Sequence, residues 1–78
     1  MPTVLYIKGF RFFFFMNEHL PIHIHVSKAG CKAKLELIPE IKMITNQGFK
    51  VKEMKEILEI TYENCDYLIQ KWHETFNQ

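Results

Sequence analysis

The chain has 78 residues, 47% hydrophobic and 24% charged, with a formal net charge of +1. That length predicts one domain over residues 1–78, burying only about 60–65% of the surface its unfolded form exposes, which excludes a deep multi-part cofactor cavity. The near-neutral charge argues against a strongly electrostatic nucleic-acid binder, and the lack of any apolar run near ~18–20 residues argues against a membrane span.

The first part of the chain, about residues 3–44, reads as strands. Thr3-Val4-Leu5-Tyr6-Ile7 is short and β-branched, and Lys8-Gly9 punctuates it. The run from Phe10 to Met16 is aromatic on both faces, which predicts a central strand. Asn17 to Pro21 forms a loop. Ile22-His23-Ile24-His25-Val26 then alternates with period two, Lys28-Ala29-Gly30-Cys31 marks a tight turn, and Lys32 to Leu37 alternates again. Ile41 to Ile44 forms a further edge strand after Pro39.

Past Asn46-Gln47-Gly48 the period changes. Met54, Leu58, Thr61, Cys65, Leu68 and Trp72 recur at spacings of three and four, with Ile57, Ile69 and Phe76 beside them, the apolar stripe of an amphipathic helix. One helix from about Val51 to about Phe76 would be near 38 Å long at ~1.5 Å per residue, more than a small sheet can cover. Two outcomes follow, a bend near Asn64-Cys65-Asp66 or a protruding end that meets a partner. The single helix with its C-terminal end in a contact is the expectation adopted. The fold class is therefore α+β: a small curled antiparallel sheet of three to five strands packed on one long C-terminal helix.

Alternation also predicts register, because a one-residue slip exchanges every side chain between faces. With Met16 and Ile22 flanking the loop, Phe14 opposes Ile24, Phe12 opposes Val26, Phe15 opposes His23 and Phe13 opposes His25. Through the Gly30 turn, Ala33 meets Val26, Leu35 meets Ile24, His25 meets Lys34 and His23 meets Glu36. One face, Phe10, Phe12, Phe14, Met16, Ile22, Ile24, Val26, Ala33, Leu35 and Leu37, is apolar and is expected to take the helix. The other carries Arg11, Phe13, Phe15, His23, His25, Lys32, Lys34 and Glu36, and one helix cannot cover it as well, so an open aromatic patch is expected.

Charge is uneven: residues 1–49 hold six Lys/Arg against three Glu, and residues 50–78 hold four Lys against six Asp/Glu. The N-terminus lacks a charged leader and cleavage site, and Cys31 and Cys65 form no CxxC motif. A reduced, cytoplasmic setting with both cysteines as small core residues is expected.

The strings Pro2-Thr3-Val4, Ile7-Lys8-Gly9-Phe10-Arg11-Phe12-Phe13-Phe14, Asn17-Glu18-His19, Pro21 and His23-Ile24-His25-Val26 are followed by Ala33-Lys34, Gly48-Phe49, Ile57 and Trp72-His73. Together they resemble a short bacterial family known as domain-of-unknown-function family 4160. Ile22 stands where that pattern leads one to expect a second proline. The family carries no established activity. Its members are often encoded beside another small protein, so the resemblance implies a two-gene, toxin–antitoxin-like module.

The strongest chemical signal is His23 and His25, which project the same way from one strand with Cα atoms about 6.5–7 Å apart. Both imidazoles can converge on one ion or phosphate. His19 and Glu18 in the preceding loop are candidate further ligands, and Glu36 is placed to orient His23. A divalent metal such as zinc, held by His23, His25, His19 and Glu18, is one reading. A metal-free acid–base set of His23, His25 and His19 acting on RNA is another. A third makes them surface or partner-facing histidines with neither role. Arg11, Phe13, Phe15, Lys34 and Glu36 form a candidate binding face, for stacked RNA bases or for a small partner protein or second copy; the low net charge favours protein. Trp72, His73 and Phe76 read either as packing residues or as that protruding contact.

Overall fold

The computed structural model describes residues 3–16 and 18–76. Five strands form one antiparallel sheet in chain order: β1 (Thr3–Ile7), β2 (Phe10–Phe13), β3 (His23–Lys28), β4 (Cys31–Glu36) and β5 (Lys42–Gln47). Two helices follow, α1 (Val51–Glu63) and α2 (Cys65–Phe76).

The hairpins β1–β2 and β3–β4 close on two-residue turns. Lys8 and Gly9 have φ of 55° and 83°, and Ala29 and Gly30 have 50° and 84°. Positive φ at both central positions is the type I′ geometry, whose twist matches that of the flanking strands. Each turn thus places one non-glycine residue in the left-handed region, where only glycine sits without cost.

The expected register holds wherever strands pair. Phe12 lies opposite Val26 and Phe13 opposite His25. His23 faces Glu36, Ile24 faces Leu35, His25 faces Lys34 and Val26 faces Ala33. The Leu37 N–H donates to the Ile22 carbonyl at 2.9 Å, carrying the same alignment one step past the ladder. Both outer strands carry an irregularity: β1 inserts Val4 between the pairs Thr3–Phe13 and Leu5–Phe12, and β5 inserts Ile44 between Thr45–Lys34 and Met43–Leu35. β5 runs on to Gln47, three residues past the expected edge strand.

The apolar face is buried as read, from Phe10, Phe12 and Phe14 through Ile22, Ile24 and Val26 to Ala33, Leu35 and Leu37. Ile57, Ile60, Leu68 and Trp72 of the helices complete this core, joined by Phe49, whose ring lies 5.9 Å from that of Phe10. Each large side chain so buried contributes about 1.5–3 kcal/mol. Met16 is the exception. β2 ends at Phe13, so Met16 lies in the loop, 77% exposed, and not in the core. The cysteines are free thiols as expected but only half-buried; Cys31 packs against the core without being enclosed in it.

The single long helix is replaced by two of 13 and 12 residues. Asn64 makes the break, with φ −117° and ψ 15°. The Ile60 carbonyl accepts from both the Asn64 backbone N–H at 3.1 Å and its side-chain Nδ2 at 2.8 Å. Thr61 Oγ1 donates to the Ile57 carbonyl at 2.7 Å, a back-bond that bends helices. The Asn64 carbonyl then starts α2 by accepting the Leu68 N–H at 2.9 Å. A continuous helix of about 38 Å would outrun the molecule, whose longest extent is 33 Å. The break keeps α2 on the sheet: Trp72 is fully buried and packs its ring 5.5 Å from Phe14, so the helix end does not protrude. Lys50 precedes α1 and has no side-chain acceptor to cap it; the Glu53 carboxylate instead accepts the Lys50 N–H at 3.1 Å.

Candidate functional site

Strand alternation puts His23 and His25 side by side on the sheet face away from most of the core, with ring centroids 5.1 Å apart. The segment between β2 and β3 folds back toward them. Its Glu18 places a single carboxylate oxygen, Oε2, 3.1 Å from His23 Nε2 and 2.9 Å from His25 Nε2. The same oxygen lies 3.3 Å from the donating Phe15 N–H. Glu18 therefore ties its own loop to the histidine strand, and its side chain is only 9% exposed.

This face is not the open patch expected. His23 is 5% exposed, and its ring lies 5.2 Å from Trp72, so α2 reaches this imidazole as well as Phe14. Phe13 is likewise 5% exposed. The Arg11 guanidinium sits 4.4 Å from the centre of its ring, Phe15 meets it edge-on at 5.4 Å, and His25 stacks on it at 5.6 Å. His25 is held between two aromatic rings, since Phe15 also meets it at 4.4 Å. Phe15 itself is 42% exposed and lies past the end of β2, so it makes no ladder pair with His23.

The two imidazoles differ in surroundings. His23 Nδ1 lies 2.8 Å from the Pro21 carbonyl. His25 Nε2 is buried, and among the described residues no aligned hydrogen bond reaches it despite the short distance to Glu18. Burial lowers the His25 pKa below the ordinary imidazole value; Glu18 pulls the other way, while His23 and Lys34 reinforce burial.

Of the residues singled out in the sequence, Glu18, His23 and His25 come together, with ligand atoms all within 4.8 Å of one another, and could hold a metal ion. His19 does not join them; it is exposed, because the loop turns Glu18 inward and its neighbour outward. Glu36 pairs with His23 in register, but the observed partner of His23 Nδ1 is the Pro21 carbonyl. Arg11 is engaged within the chain, its Nε donating to Thr3 Oγ1 at 2.7 Å. Lys34 and Glu36 are half-buried on the same face. Sequence reasoning missed Trp72 and the Pro21 carbonyl as neighbours of His23. Neither has a local signal, since one comes from a distant helix and the other from the backbone.

Neither the curated proteins nor the solved structures gave a match. A family model described as domain of unknown function (DUF4160) matches residues 9–73, more than four-fifths of the 78. The matched span takes in the aromatic strand, the Glu18 loop, both strand histidines and Trp72, and on that extent the chain belongs to the DUF4160 family.

Proposed function

We propose that the protein is a binding module, one component of a two-gene, toxin–antitoxin-like system, which docks a small partner protein through the surface around the loop between β2 and β3. One observation carries this reading. Phe15, Met16 and Leu20 stand 42%, 77% and 64% exposed on a single short segment that Glu18 ties to the sheet. Three large apolar side chains on one tethered loop are costly to leave in water and form a ready anchor for a partner surface. The tether also reduces the ordering cost of association. Arg11, Lys34 and Glu36 share the face beneath and supply a polar rim.

The test is co-expression with the product of the neighbouring gene. A stoichiometric complex is expected on size exclusion for the wild type, lost in the triple variant Phe15→Ser/Met16→Ser/Leu20→Ser while its far-UV circular dichroism is unchanged. Absence of a complex, or one indifferent to the triple variant, overturns the proposal. Cleavage of RNA by the purified protein, abolished by His25→Ala, would put the histidine-dependent, ribonuclease-like reading in its place.

A further inference from the structure

We propose that Glu18, His23 and His25 bind one divalent transition-metal ion of the zinc class, through Glu18 Oε2 and the two Nε2 atoms. The reasoning starts at the Pro21 carbonyl, 2.8 Å from His23 Nδ1. A carbonyl oxygen only accepts, so Nδ1 carries a proton. In the neutral ring Nε2 is then a bare lone pair, and it faces the Glu18 oxygen at 3.1 Å. Two acceptors at that distance repel unless a cation stands with them.

A proton on His23, with His25 as its Nε2–H tautomer, is the competing occupant, and the titration below separates the two. The same oxygen lies 2.9 Å from His25 Nε2, which is buried without an aligned hydrogen-bond partner among the described residues. One metal ion draws all three lone pairs at once. In a tetrahedral site with bonds of about 2.0–2.1 Å, neighbouring ligand atoms are about 3.3 Å apart. The 2.9 and 3.1 Å contacts are close to that edge, and all three ligand atoms lie within 4.8 Å of one another.

The surroundings are also those of a metal site. Two imidazoles and one carboxylate suit a divalent ion of intermediate hardness and leave a coordination position for water or an incoming group. The Pro21 carbonyl fixes the His23 tautomer and ring orientation, as outer-shell partners of ligating histidines do. Phe13 and Phe15 wall His25 on two sides and hold its ring direction.

The experiment is calorimetric titration of the full-length protein with zinc chloride at pH 7.5, alongside cobalt(II) absorption. Wild type is expected to take up one equivalent and to give the visible bands of a low-coordinate cobalt site. Glu18→Gln and His25→Ala, each checked for native circular dichroism, are expected to lose more than about tenfold in affinity. His19→Ala and His73→Ala are expected to bind as wild type. No uptake by wild type overturns the assignment. So does wild-type affinity in both Glu18→Gln and His25→Ala, or loss of binding only in His19→Ala or His73→Ala. The assignment stands apart from the docking proposal, since zinc uptake is read without any partner present.

Discussion

Replacing Trp72 by Phe separates two terms that oppose each other in the core. Trp72 is fully buried and touches Phe14, Phe76 and His23, with ring centroids 5.5, 4.7 and 5.2 Å away. Its indole Nε1 is buried without a hydrogen-bond partner among the described residues. Trimming the indole to a phenyl ring opens a deficit of roughly 40 Å³, about 1 kcal/mol at ~24 cal/mol per Å³. Lost apolar burial adds up to about 1 kcal/mol. Removing the unpaired donor returns about 1–3 kcal/mol. Trp72→Phe should therefore fall between a net loss of about 1 kcal/mol and a net gain of about 2 kcal/mol, whereas Trp72→Ala should cost about 3–5 kcal/mol. Urea unfolding followed by far-UV circular dichroism measures both. A loss above about 2 kcal/mol for Trp72→Phe would refute the reasoning, because it would mean that the indole N–H is satisfied and contributes to docking α2.

The glycine turns and His25 give two further expectations. Gly30→Ala, at φ 84° with open space around the added carbon, should cost only the backbone penalty of about 1–2 kcal/mol; Gly48→Ala should cost clearly more, since its new carbon would lie 2.9 Å from Cys31 Sγ at φ 101°. Equal melting-temperature shifts for the two would contradict this. In chelator-treated protein, the lowered pKa of His25 means that the unfolded chain takes up its proton before the folded one does. Stability contributed by the neutral ring is therefore full above about pH 6.5 and declines as pH falls below it. His25→Gln should flatten that decline between pH 7.5 and 5.5 in urea midpoints; an unchanged slope would show that His25 is not its source.

The sheet was readable residue by residue because burial on one side forces alternation. Ile22, Ile24 and Val26 against Leu35 and Ala33 admit only one pairing, and that pairing is observed. The same logic failed one residue beyond β2. Phe15 and Met16 continue the aromatic run, yet nothing in their own pattern says that the ladder stops at Phe13. What ends it is the returning loop, a tertiary event that also seats Glu18 beneath the imidazoles. Glu18 could be named from the sequence as a neighbour of the histidines, and His19 could not be told apart from it, since turn direction rather than composition decides which faces inward. At Asn64 the local signal was present, a short polar side chain competing for the helix's own carbonyl. Its effect was misjudged because the apolar stripe runs unbroken across it.

The extra residues in the two outer strands bear on how the chain behaves in a crowded solution. A five-stranded meander leaves two open edges, and a flat edge is a template for another chain to extend. Here Val4 and Ile44 kink those very edges, and the Tyr67 hydroxyl donates to the Val4 carbonyl at 2.9 Å. A regular ladder of free amides is thus offered on neither side, so the irregularities act as end-stops against fibril-like stacking.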